Sequence, residues 1–320
     1  FGFADSLSVI ANVNVTGLKL TSYGEYAGGI AAQSEGRIAN VNVTGAVINH
    51  QNAFGGGIVG QTRNGTVDRC TFSGTITGAG ATGGIAGITR GSQVTNISAD
   101  ASMTFNGYFN RFYRALGGLV GYTLAGAGKH QSLVSDGQFT GTIADTDGHG
   151  IIAGLVGDVN SGTVQRLVNA APISARATND NNGIVGGIVG MLYEGHVQDC
   201  LTGNQIINSG ACTQVGGIVG YVLNTDKGNS IKRCLNVGQV ITASSGATQG
   251  VYGVSFSVPT MTDCYYDAQL TTTVMPDSLK HTAIATAQLT GGSLPWTDAA
   301  GVWTAEAGSY PMLKSAAGTV

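Results

Sequence analysis

Apolar and polar residues repeat along this chain on two nested scales. On the short scale, stretches such as "VNVTGAVI" (41–48) and "CTFSGTIT" (70–77) alternate, the period-two mark of a strand with one buried face. On the long scale, a glycine-bounded apolar string returns. "GGIVG" is spelled at 56–60, 186–190 and 216–220, with variants "GGIAA" at 28–32, "GGIAG" at 83–87, "GGLVG" at 117–121, "AGLVG" at 153–157 and "QGVYG" at 249–253. The second residues of these anchors are Gly29, Gly57, Gly84, Gly118, Gly154, Gly187, Gly217 and Gly250, spaced by 28, 27, 34, 36, 33, 30 and 33 residues. A second string follows each anchor after a turn: an apolar residue, two mostly polar ones, then a small apolar one, as in "IANV" (38–41), "VDRC" (67–70), "VQDC" (197–200) and "IKRC" (231–234). Its fourth position reads Val13, Val41, Cys70, Ile97, Leu133, Leu167, Cys200, Cys234 and Cys264 along the chain.

Helix signals are nearly absent from residues 1–264. Repeats of this length made of short strands with glycine at the bends predict an all-β, right-handed parallel β-helix of about nine coils, stacked at about 4.8 Å per rung. A propeller blade needs about 40–45 residues and is excluded on length. Glycine at the anchors is expected to allow positive φ at a corner and close approach of neighbouring backbones. Residues 1–264 therefore form the repeat array and 265–320 a C-terminal capping segment. In the tail, "HTAIATAQLTGG" (281–292) reads as a short helix closed by glycine, with Trp296, Trp303 and Tyr310 burying the edge of the last coil.

Composition narrows the function classes. Glycine contributes 52 of 320 residues and charged residues only 10%, with a net charge of −3. That balance provides no electrostatic footprint for nucleic acid, and no apolar run approaches membrane-spanning length. The chain starts at Phe1 without Met or a signal peptide, which reads as a processed or trimmed product.

The anchors resemble the GLUG motif, a glycine–leucine–hydrophobic–glycine repeat of bacterial exported proteins. Gly118-Leu119-Val120-Gly121 and Gly154-Leu155-Val156-Gly157 match it literally, and most other copies carry Ile for Leu. Ala32 replaces the last glycine of the first copy, and Val251-Tyr252 loosens the last copy. The tail, "CYYD" (264–267) followed by Trp296 and "YPML" (310–313), is similar to the closing segment of such arrays. The resemblance implies a large secreted or surface-exposed bacterial protein, such as an adhesin or the non-catalytic region of an immunoglobulin-A-cleaving metallopeptidase. It supplies no functional residues.

Direct searches for catalytic chemistry return little. None of the five histidines begins His-Glu-x-x-His, and no Walker string or Gly-x-Ser-x-Gly elbow is present. "GAGATG" (78–83) fits a dinucleotide fingerprint in letters but leads into another strand-like anchor instead of a helix. Cys70, Cys200, Cys234 and Cys264 share one column with no zinc-like spacing, which predicts inward-pointing free thiols. Arg166, Asp199, Arg233 and Asp263 precede that column and alternate in sign. Asp199 and Asp263 would lie about 9.6 Å apart with an arginine between them, which suits a salt ladder on the opposite face better than an acid–base pair. No metal and no cofactor is expected.

Function on a solenoid concentrates in insertions. Column-to-anchor distances are longest in three consecutive coils, predicting a continuous ridge. The first insertion (104–114) carries Phe105, Tyr108, Phe109, Phe112 and Tyr113 with Arg111 and Arg114; the second (145–150) carries Asp145 and Asp147; the third (176–183) carries Asn181. Aromatic faces beside arginine, aspartate and asparagine are what a sugar-binding surface needs. Tyr108, Arg111, Tyr113, Arg114, Asp145, Asp147 and Asn181 are accordingly the candidate binding residues. The expectation is a non-enzymatic adhesin or spacer, extracellular or at a bacterial cell surface and part of a longer exported protein. Its partner would be a carbohydrate or a host surface protein, without nucleic acid and without membrane insertion. The alternative is a polysaccharide lyase or hydrolase on a β-helix, drawing on Asp145, Asp147, Asp180 and the ladder aspartates.

Overall fold

The computed structural model describes all residues except 52–53, 106–113, 147, 149, 177–182, 211–213, 224–227, 244–247, 256–258, 272–280 and 315–320, and excludes the side chains of 248, 249, 254, 255 and 281. The chain is a parallel β-solenoid of about 8 turns. Three sheets run its length. In the coil that carries Cys70, Phe54–Gly56 lies on the first sheet, Gly57 and Ile58 bend the chain, and Val59–Arg63 lies on the second. Asn64 and Gly65 then turn it into the long third-sheet strand Thr66–Gly78. The first sheet stacks eight such strands and the second nine, every pair parallel.

The anchor glycines owe their identity to crowding alone. None of Gly57, Gly118, Gly154, Gly187 and Gly217 has a positive φ, so the expected left-handed corner is not their role. A Cβ on Gly118 would lie 2.1 Å from the carbonyl oxygen of Gly154, one on Gly154 2.1 Å from that of Gly187, and one on Gly187 2.0 Å from that of Gly217. Each coil thus seats on the bare α-carbon of the one before. The third anchor residue points inward, and Ile58, Ile85, Leu119, Leu155, Ile188 and Ile218 are fully buried. Each such side chain contributes roughly 1.5–3 kcal/mol relative to exposure.

Left-handed backbone recurs instead along the third sheet, inside its long strands and at the breaks between its shorter ones, at a column of residues that are not glycine. Asn12, Asn40, Arg69, Asn96, Asp136, Arg166, Asp199, Arg233 and Asp263 all have φ between 47 and 59°. Each immediately precedes the inward column. An extra residue in this conformation breaks the strict alternation. That is why Ile38 and Val41, three apart, are both buried in one strand. Asparagine and aspartate tolerate this region best among residues with a Cβ, and they fill six of the nine positions, so the third residue of the string answers a backbone requirement.

The register corrects one member of the column. Ile97 pairs with Gly137, not with Leu133, which pairs with Gln93. The string in that coil is therefore "VSDG" (134–137), and the six extra residues of the coil lie earlier, around Ala125 to His130. From column to anchor this coil spans an ordinary 17 residues, so 145–150 is not a long insertion. Phe105, grouped with the first insertion, ends the strand Gln93–Phe105 and is fully buried core.

The tail also departs from expectation. His281–Ile284 is a strand, paired in parallel with Cys264–Asp267, so it continues the third sheet beyond the last coil; the helix is only Thr286–Leu289. Trp296 and Trp303 meet edge to face at 5.0 Å between centroids. They pack with Leu289 and Leu313 against Val168, Leu201, Leu235 and Tyr265, on the flank of four successive coils and not only on the final edge. At the other end, Val9–Thr16 pairs with Arg37–His50 along one side, and Phe1, Leu7 and Val9 are 78%, 90% and 64% exposed.

Candidate functional site

Of the residues expected to form a ridge, Tyr108, Arg111, Tyr113, Asp147 and Asn181 lie outside the described residues, as does Asp180. Arg114 is half-buried where the chain enters the strand Ala115–Gly117, its carbonyl accepting from the Ile151 amide at 2.9 Å. Asp145 ends the strand Ser132–Asp145 and is 3% exposed, with Oδ1 accepting the Gly148 amide at 3.1 Å. That carboxylate holds a turn.

Cys70, Cys200, Cys234 and Cys264 are free and buried. Burial pushes the Cys70 thiol up to about 11. Burial, with the Cys200 thiol beside it, raises Cys234 well above the usual thiol range. Cys264 is likewise raised, first by its hydrogen bond with Cys234 and then by burial.

The charged column resolves into two clamps. Arg166 donates Nε and Nη2 to the two carboxylate oxygens of Asp136 at 2.6 and 2.7 Å, and Arg233 does the same to Asp199 at 2.7 and 2.7 Å. These side chains leave the stack at left-handed residues, not by strand alternation, and Arg166 turns to Asp136, not Asp199. Asp199 also accepts the Trp303 indole N–H at 3.1 Å. Burial pushes the Asp136 carboxyl up, but the hydrogen bonds from Arg166 and Ser135 and the arginine charge outweigh it and hold the carboxyl below its ordinary value.

A feature that the sequence reading missed lies where the first two sheets meet on the outside of the coil. The last glycine of the anchor closes this corner: a Cβ on Gly87 would lie 2.6 Å from the Gly55 amide. Beyond it, the second sheet presents an in-register column of Gln33, Gln61, Ile88, Tyr122, Asp158 and Met191. Ile88 and Tyr122 join Phe54, Ala81 and Ala115 of the first sheet in an apolar seam outside the main core. Asp158 is 2% exposed on this column, its Oδ1 has no hydrogen-bond partner, and burial pushes its carboxyl well above the usual range.

Toward the N-terminal end the seam opens into a cleft of about 480 Å³ lined by Tyr26, Gln61, Arg63, Arg90, Ala125, Gly126 and Ala127. Tyr26 stacks on Phe54 at 5.4 Å with an interplanar angle of 15°. Tyr26 is the register partner of Phe54 on the next rung of the first sheet. Gln33 Nε2 donates to Gln61 Oε1 at 3.2 Å, while Arg63 and Arg90 are register partners on adjacent rungs. Burial and a hydrogen bond with Glu25 push the Tyr26 phenol up, and the Arg90 charge opposes this, so the guanidinium acts on the hydroxyl across the cleft. The far wall is the extra loop that the register places around residue 126; Gly126 packs so closely on the Asn64 side chain that a Cβ would lie 2.2 Å from its Oδ1. The usable signal was a Thr-Arg pair at one offset after successive anchors, at Thr62-Arg63 and Thr89-Arg90.

No protein-family model matches the chain, and a search of curated proteins found no match.

Proposed function

We propose that this chain is a non-enzymatic display scaffold, an adhesin or spacer of a secreted or surface-exposed bacterial protein, that binds a saccharide in the corner cleft. The observation that carries the reading is the cleft's composition on a rigid wall. A stacked tyrosine, an amide pair and two guanidinium groups converge on one opening of about 480 Å³. An aromatic ring offers a sugar its apolar C–H face, and amides and guanidinium groups bond its hydroxyls. Because these groups project from stacked strands, their spacing is set by the rung repeat, which lowers the ordering cost of binding. The surface location and the adhesin class rest on the likeness of the anchors to the GLUG repeat.

Two of the carboxylates on which the enzymatic alternative draws already have structural work. Asp145 holds the Gly148 amide, and Asp199 is clamped by Arg233 and covered by Trp303. The test is a glycan array on the purified chain, run beside an assay for new reducing or unsaturated sugar ends. The expected result is binding without release of ends, weakened about tenfold or more by Tyr26→Ala with the melting temperature nearly unchanged. Release of ends would overturn the non-enzymatic part, and intact binding by the folded Tyr26→Ala variant would overturn the site.

A further inference from the structure

We infer that the cleft selects a carboxylate-bearing saccharide, held by the Arg63–Arg90 pair; this rests on the saccharide reading of the same cleft. Register places Arg63 directly beside Arg90, about one rung of 4.8 Å away. Like charges on adjacent rungs repel, and a sheet gains nothing from the arrangement. The neighbouring rungs relieve it on the Arg63 side alone. Glu35 reaches Arg63 at 3.6 Å, with both side chains substantially exposed, and on the far side Arg90 pairs in register with the uncharged Leu124. Among the described residues no carboxylate comes within ion-pair distance of Arg90. The Arg166–Asp136 and Arg233–Asp199 clamps show how this fold satisfies a guanidinium when the purpose is structural: a bidentate carboxylate one rung away. Arg90 has none, and it faces the cleft.

A guanidinium presents two parallel N–H donors that match a carboxylate, and it stays charged at all working pH values. With the Tyr26 ring on one side and the Gln61 amide on the other, the cleft supplies a stacking surface, hydroxyl partners and an anion fork. An acidic sugar of the uronic type is the ligand that uses all three. A neutral sugar would leave Arg90 desolvated without a counter-charge, and a simple anion would leave the ring idle.

The experiment is an array carrying neutral, uronate-bearing, sialylated and sulfated glycans. Each acidic hit is then compared with its carboxyl-reduced form by calorimetry, for the wild type, Arg90→Gln and Arg90→Lys. The expected result is hits concentrated among carboxylate-bearing glycans, with carboxyl reduction costing about tenfold to a hundredfold in affinity. Arg90→Gln should remove that discrimination, bringing the affinity for the acidic form down to about that for the reduced form, and Arg90→Lys should restore part of it. Hits confined to neutral sugars, or acidic and reduced forms bound equally, would overturn the inference and leave the saccharide reading intact. Hits confined to sulfated glycans would replace the carboxylate by a sulfate. No binding to any glycan would overturn both. A discrimination that survives in Arg90→Gln would show that the preference arises elsewhere.

Discussion

Removing Arg233 is expected to cost several times more stability than removing Arg166, although the two clamps share one geometry. Each guanidinium meets its carboxylate through two contacts of 2.6–2.7 Å across one rung. They differ in cover. The Asp136 side chain is 24% exposed, whereas Asp199 beneath Trp303 is 3% exposed. Methionine keeps the packing of the arginine stem while deleting the charge. In Arg166→Met the freed Asp136 carboxylate takes up water, and the loss should stay at or below about 1 kcal/mol. In Arg233→Met the Asp199 carboxylate stays buried with one indole N–H for company, and breaking a buried pair in this way costs about 3–5 kcal/mol. Urea midpoints at unchanged slope, followed by circular dichroism and by tryptophan emission, measure both. Trp303→Phe should widen the gap, because it removes the one donor left to the Asp199 carboxylate in Arg233→Met. Equal losses in the two arginine variants would refute the reasoning, since burial would then not decide what a clamp is worth.

Gly118→Ala should cost about 1–3 kcal/mol or more by thermal melting, because its Cβ would lie 2.1 Å from the Gly154 oxygen; Gly24→Ala, whose nearest neighbour is Ser22 Oγ at 3.6 Å, should be close to neutral. Asp158→Asn should raise stability near pH 7. Burial favours the protonated form of this carboxyl in the fold, so its contribution is lost as pH rises from the unfolded value near 3.9 through the folded one, and the variant should lack that decline. Asp136 works in the opposite sense: its lowered pKa adds stability above the ordinary carboxylate value that is lost as pH falls through the folded value, so Asp136→Asn should flatten the acid limb of a pH–melting profile. Iodoacetamide at pH 8 should leave Cys70, Cys200, Cys234 and Cys264 unlabelled until the chain is denatured, as read by intact mass; a native Cys200–Cys234 disulfide would overturn this.

The array was legible because stacking forces equivalent residues into columns, and columns appear in sequence as a period. The anchor glycines and the inward Cys70, Cys200, Cys234 and Cys264 could be read this way. Gly137 could not, since a glycine in an apolar column carries no apolar signal, and the extra loop before it shifted the count onto Leu133. The left-handed residues hid behind side chains of every charge. Asparagine, aspartate and arginine share the position because the bulge asks for a backbone angle, not a side-chain type. In the tail, the weak helical pattern of 281–284 yields to the unpaired edge of Cys264–Asp267, whose ladder offers more than propensity does. The cleft was illegible for a different reason. Tyr26, Gln61, Arg90 and Gly126 come from four coils, and only the meeting of two sheets at a bend brings them together.

The flank contact made by Trp296, Trp303 and Leu313 gives the rod a mechanical direction. It straps four coils together from the side, while the first coil is held by pairing along one edge. Under tension the strapped coils should part last and together, after the coils that lack such a strap. The cleft sits among the coils that go first. A load large enough to peel the unstrapped coils would take Tyr26 off Phe54 and open the cleft while the strapped coils stayed wound.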